Sequence, residues 1–415
     1  MMPDSVKRWI IFPIACLLFV LSQFYRSSIA VITPDLIRDL SVSPSGLSLI
    51  SAAFFYAFAL TQIPISMYLD GIGPRIAMTA LSLVAAAGAL VFATGHSVDL
   101  LVAGRVLMGI GMACNLMGTL KLITLWFTPL RFATLSALVF SLGTLGNLVA
   151  ATPLVVLVQA LGWRQAFMVI GAANLLLALL FYLIARDRPQ SAIGSDMPAA
   201  TGTNAQTMLS GLGRLLREKD YWIISLGTFC RYGIFAAVQA LWAGPFLIQA
   251  MGITPVSAGN LLLLMSIGLL VGSPLCGWLS DVVLRKRKAI VVTGLVAMGL
   301  MLALFTRLTP DAGMPVFALL FFSFGFVSSA GNIMYTHIKE RMPPANAGAA
   351  MTGINFFTMI GVAVFLQGLG HLLQLRHPQA ALGAAAFTEL FLLCALCLWA
   401  TAAAYLMTRE TTPHK

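Results

Sequence analysis

The sequence predicts an all-α membrane protein that crosses the bilayer twelve times, arranged as two six-helix bundles. Three observations carry this reading. The 415 residues are 59% hydrophobic and only 9% charged, a balance that no soluble domain requires. Apolar runs of about 20 residues, the length that spans a hydrocarbon core, recur from end to end. They form two sets of six on either side of one polar stretch.

In order, the runs cover residues 9–33, 45–68, 76–95, 100–127, 132–158 and 165–185, then 220–249, 256–280, 289–308, 313–338, 347–374 and 382–407. Each is continuously apolar, without the alternation of a lipid-facing strand, so each is a helix whose amides are satisfied within the segment. The first run is too long and too aromatic for a cleaved leader, and no small-residue cleavage site follows it, so it is expected to stay as span 1. After span 6, "RDRPQSAIGSDMPAATGTNAQ" cannot bury a core and reads as a linker. Beyond it, "MLSGLGRLLREKD" spaces Leu209, Leu212, Leu215 and Leu216 along one helical face. That pattern fits a short helix in the membrane interface, or an extension of span 7. The expected division is an N-terminal bundle 1–185, a linker 186–219 and a C-terminal bundle 220–415 with a short tail.

The net charge of +11 is a matter of topology. With twelve spans and a cytoplasmic N-terminus, 17 of the 25 Lys and Arg fall on the cytoplasmic side, 4 outside and 4 within spans. The positive-inside rule then puts both termini in the cytoplasm and accounts for the basic balance without nucleic acid. All six cysteines lie in apolar runs and read as small core residues. The lone CxxC of Cys394 and Cys397 has no second ligand pair, so no metal is expected.

The two halves repeat. Asp70 in "MYLDGIGPR" and Asp281 in "GWLSDVVLRKRK" stand 211 residues apart, Arg131 and Arg341 stand 210 apart, and Arg26 and Arg231 stand 205 apart. Parallel repeats of this kind build a cavity between two rocking bundles in one transporter architecture.

Over essentially its whole length the chain resembles the major facilitator superfamily. The family's loop signature Gly-x-x-x-Asp-Arg/Lys-x-Gly-Arg-Arg/Lys is matched by Ser66, Asp70, Gly71, Gly73 and Arg75, and again by Gly277, Asp281, Arg285 and Lys286. Its Arg-x-x-x-Gly-x-Gly signature is intact at Arg105, Gly109 and Gly111. The first loop copy departs at Ser66 and Gly71, and the second lacks the loop glycine. The resemblance implies gating or coupling roles for Asp70, Arg75, Arg105, Arg131 and Asp281. The Gly-x-x-x-Gly-Pro motif of drug-exporting members is absent before Pro153, which disfavours export.

The four basic residues within spans are Arg26, Arg105, Lys121 and Arg231, while all 14 acids fall in loops or at span ends. A basic residue at mid-depth costs about 2.5–3.5 kcal/mol on insertion scales, so such a set points to a wet cavity and a function. The segments around Arg26 and Arg231 resemble the arginine segments of the organophosphate and organic-anion branch. A guanidinium offers a planar fork to a carboxylate or phosphate. Arg26 and Arg231 are therefore the expected clamp for an anion, with Lys121 assisting; the alternative is that they snorkel or bond helix carbonyls. Tyr25, Tyr232, Gln239, Trp242, Asn332, Tyr335 and Asn355 are the polar and aromatic candidates to complete the site, though each alone also fits packing between helices. His337 is the histidine placed to titrate near neutrality.

No nucleophile elbow, phosphate loop or zinc motif supports an enzyme. The expectation is a secondary transporter in the cytoplasmic membrane, a monomer without cofactors, importing a small organic anion by alternating access, most simply a mono- or dicarboxylate with a coupling proton. The alternatives are an inorganic-anion carrier for nitrate or phosphate, an anion exchanger, or an exporter of amphipathic compounds.

Overall fold

The computed structural model describes residues 4–187, 217–342, 347–377 and 383–410, and every regular element among them is a helix. The expected interfacial helix falls almost wholly on residues 188–216, outside the described residues.

The first half begins with α1 (Asp4–Ser27) and α2 (Ile29–Leu40), followed by α3 (Pro44–Ile72) and α4 (Pro74–Thr94). Then come α5 (Val98–Trp126), α6 (Pro129–Val149), α7 (Thr152–Leu161) and α8 (Trp163–Ile184). The second half runs through α9 (Lys219–Ala250), α10 (Pro255–Val283), α11 (Arg287–Phe305), α12 (Met314–Arg341), α13 (Ala347–Arg376) and α14 (Ala384–Tyr405). Among the described residues eleven helices are long and apolar enough to cross a membrane, and the bent pair α6 and α7 makes a twelfth.

Two expected spans are broken, for local reasons. Span 1 divides at Ser28, where the Ser27–Ser28 pair and Pro34 weaken the helical ladder. Ser28 Oγ turns back to donate to Tyr25 O at 3.2 Å. Span 5 bends by 40° between Val149 and Thr152, and Pro153 sits in the first turn of the new helix, where a missing N–H is harmless. Within α9, π-helical turns at Val238–Trp242 and Phe246–Ala250 flank Pro245. Within α12, a 3₁₀ turn at Ser329–Asn332 interrupts the α-helical ladder.

The chain forms two compact units, Met1–Asp35 with Ala53–Asn204, and Leu36–Ala52 with Ala205–Lys415. In the first, α1 packs on α6 and α4 on α8; in the second, α9 packs on α13 and α11 on α14, so the packing repeats with the sequence. Phe92 meets Trp163 and Phe167 in the first core, and Phe246, Phe305, Phe321 and Phe391 pack together in the second. Large apolar side chains also face outward, Leu183 at 74% exposure among them, as a lipid-facing surface requires.

Candidate functional site

In the first unit Arg105 is fully buried. Its Nη1 donates to Tyr25 O at 2.6 Å, and its Cζ lies 4.7 Å from the Phe54 ring centroid. Phe54 stacks on Phe58, and the Arg26 guanidinium carbon lies 4.2 Å over Phe58. The two cations therefore sit at the ends of one aromatic ladder, just before the break at Ser28. Each ring offers its negative face to a guanidinium. The useful atom of Tyr25 is its carbonyl; its side chain has no exposed surface and packs against Phe24.

Lys121 does not join this group. Its neighbour Thr119 donates to Ala15 O at 3.3 Å, which sets Lys121 near the level of Ala15, roughly 16 Å along α1 from Arg26 at 1.5 Å per residue.

In the second unit Arg231 is 4% exposed. Its Nε donates to Ser328 O at 2.7 Å, and its Nη2 donates to the same carbonyl and, at 3.0 Å, to Asn332 Oδ1. Ser328 immediately precedes the 3₁₀ turn, so the accepting carbonyl lies where the α-helical ladder changes to the tighter one. Gly331 leaves room for the approach, since a Cβ there would stand 2.8 Å from Arg231 Cζ. The reading in which this arginine bonds helix carbonyls is thus realised, although no carboxylate among the described residues pairs with it. Asn332 is exposed and donates to Ser273 Oγ at 3.0 Å. Tyr232 is half-buried beside Arg231, with the guanidinium carbon 5.7 Å from its ring. One turn along α12, Tyr335 Oη reaches Asn355 Oδ1 at 3.2 Å and Thr358 Oγ1 at 3.1 Å. Arg231, Tyr232, Asn332, Tyr335 and Asn355 thus gather in one unit.

Gln239 and Trp242 are buried. Gln239 Nε2 donates to Ser266 Oγ at 2.8 Å, joining α9 to α10, and Trp242 has no exposed surface. Both lie in the π turn Val238–Trp242, every residue of which is buried. His337 is also buried, between Tyr405 Oη at 2.7 Å and Arg409 O at 3.0 Å. A carbonyl only accepts, so Nε2 carries a proton and donates it to Arg409 O.

The charged residues of the loop motifs have partners that the motif does not name. Asp281 pairs with Arg287, not with Arg285 or Lys286; Arg287 also binds Glu340 through two bonds, at 2.8 and 3.2 Å, and Ser280 Oγ at 2.8 Å. Arg341 closes a second bridge to Asp220 at 2.8 Å. In the first unit Asp187 accepts from the Arg75 backbone N–H at 2.7 Å and so caps α4, while Arg75 Nε donates to Tyr182 O at 3.0 Å. Gly73, with φ at 85°, makes the turn that presents this helix start. The Asp70 side chain lies outside the described residues, and Arg131 is exposed.

Comparison with known proteins follows the same line. The family model of the Major Facilitator Superfamily matches residues 15–366, and the chain belongs to that family of multi-pass membrane transporters. Among curated relatives it is 26% identical to a protein of Cupriavidus necator named as a probable sulfoacetate transporter, over 94% of this chain and 95% of the relative. It is 26% identical to a hexuronate transporter of Escherichia coli, over 70% and 71%, and 23% identical to a D-galactonate transporter of Escherichia coli, over 89% and 90%. A solved bacterial homologue of the human lysosomal transporter Spinster shares the fold at a TM-score of 0.75 and 17% identity, over 97% of this chain and 96% of that one.

Proposed function

We propose that this transporter carries a small organic acid, bearing a carboxylate or sulfonate, into the cell by alternating access. The observation that carries the reading is Arg231, a guanidinium buried without a carboxylate and bound only to a carbonyl and an amide. Both partners are neutral, so the positive charge is left for a solute of opposite sign. Arg26 is the matching cation of the first unit. Asn332, Tyr335 and Asn355 supply donors and acceptors for a substrate's remaining oxygens. Relatives named for sulfoacetate, hexuronate and D-galactonate support the organic-acid class. Uptake with a proton, residence in the cytoplasmic membrane with both termini inside, a monomeric state and gating by Asp70, Arg75, Arg105, Arg131 and Asp281 complete the proposal.

The test is uptake of labelled sulfoacetate, galacturonate and galactonate by cells making the wild type or Arg231→Ala at equal membrane levels. Losing one partner of a buried charged contact costs about 2–5 kcal/mol, so uptake is expected to fall at least about 30-fold. Unchanged uptake by the variant overturns the assignment.

A further inference from the structure

Arg26 is held from two directions, by its backbone and by its side chain. On α3, Phe54 and Phe58 stand one turn apart on a single face, and their rings stack with centroids 5.9 Å apart and planes 19° from parallel. Arg105 Cζ lies 4.7 Å from the first ring, and Arg26 Cζ lies 4.2 Å from the second. Arg105 Nη1 and Ser28 Oγ both donate to Tyr25 O, the carbonyl that directly precedes Arg26 in the chain. Ser27 Oγ, on its other side, donates to Asn147 Oδ1 at 2.9 Å. The contacts close on themselves: Tyr25 O, Arg105, Phe54, Phe58, Arg26, and back along the backbone to residue 25. Phe54, Phe58 and Arg105 are buried, and Arg26 is half-buried.

The kind of contact decides what a cation can still offer a solute. Hydrogen bonds use the in-plane donors of a guanidinium, as Ser328 O and Asn332 Oδ1 do at Arg231. An aromatic ring attracts the flat side of the cation through its negative face, and so does not compete with a carboxylate for those donors. Such a ring offsets part of the cost of a cation at membrane depth without neutralising it, which a paired acid would do. We propose that Phe58 is a positioning residue for anion binding: its ring holds the Arg26 guanidinium by the face and thereby presents the edge to the acid group of the solute. At 2% exposure Phe58 acts through Arg26. The inference rests on the organic-acid reading given above and adds to it a neutral residue that the charge pattern does not mark.

The test replaces Phe58 in the full-length protein with mono-, di- and trifluorophenylalanine, which drain charge from the ring face with little change in its size. In thermal unfolding of the detergent-purified protein the midpoint should fall stepwise along the series, and the same series built on Arg26→Gln should show no such trend. In proteoliposome uptake of labelled sulfoacetate, galacturonate or galactonate, KM should rise by about three-fold or more from phenylalanine to the trifluoro ring at unchanged Vmax, the effect of weakening one desolvated cation–π contact. A stepwise trend that persists in Arg26→Gln, or a flat KM along the series while Arg26→Gln loses uptake, would overturn the positioning role and leave the organic-acid reading standing. Undiminished uptake by Arg26→Gln would also overturn it. Uptake of none of the three acids would overturn the organic-acid reading and this role with it, even where the unfolding trend is present.

Discussion

A single cation in an apolar helix is the most legible feature of this chain, and Arg231 stood out because nothing else in its segment beyond the Lys219–Asp220 start is charged. Its partner did not, since Ser328 O is a backbone atom at the start of a 3₁₀ turn and has no side-chain signature. Asn332 is the residue through which this account is checked locally. Its Oδ1 lies 3.0 Å from Arg231 Nη2, so Asn332→Asp places a carboxylate where the guanidinium is now bound to a neutral amide. The variant should insert and fold while its uptake falls about tenfold or more, because the internal acid competes with the solute for a charge-assisted bond. Uptake at the wild-type level in a uptake assay normalised for membrane protein would show that Arg231 is not the anion's partner. Asp187 was missed for a different reason: it stands at the edge of a stretch whose composition reads as linker, and only the start of α4 beside it reveals a cap.

At the scale of elements, lengths were readable and interruptions were not. Hydrocarbon thickness sets the length of an apolar run, so each span was visible in hydropathy. The break at Ser28, the 40° bend before Thr152 and the π turns of α9 depend on a few small residues and prolines whose effect is decided by neighbours. Gln239 and Trp242 both lie in the first of those π turns and are buried. Neighbours also decide the loop after α10. Four consecutive cations, Arg285 to Lys288, are equivalent in sequence, and the start of α11 selects Arg287 as the one that meets Asp281 and Glu340. Arg287→Gln should therefore lower the stability of the detergent-solubilised protein by about 1.5–3 kcal/mol, the range for hydrogen bonds to charged groups. Arg285→Gln and Lys286→Gln should stay within about 0.5 kcal/mol, as ordinary surface changes do. Thermal unfolding of the three variants checks this, and an equal effect from all three would remove Arg287 from its central place. Gly73→Ala should also destabilise, by about 1–2 kcal/mol, because φ at 85° is unfavourable to any Cβ.

Across the whole molecule, the repeat seen as matched acids and arginines reappears as matched packing, α1 on α6 and α9 on α13. A family of transporters built on such repeats serves many solutes, so fold alone does not choose among them. The choice rests on charge, with buried arginines in each unit and acids held at the helix ends. The most direct test is uptake into proteoliposomes holding the purified wild type or Arg231→Gln, comparing a labelled small organic acid with its uncharged polyol analogue. Saturable uptake of the acid, none of the polyol, and loss of acid uptake in the variant are expected; equal movement of the polyol, or undiminished acid uptake by Arg231→Gln, would contradict the account.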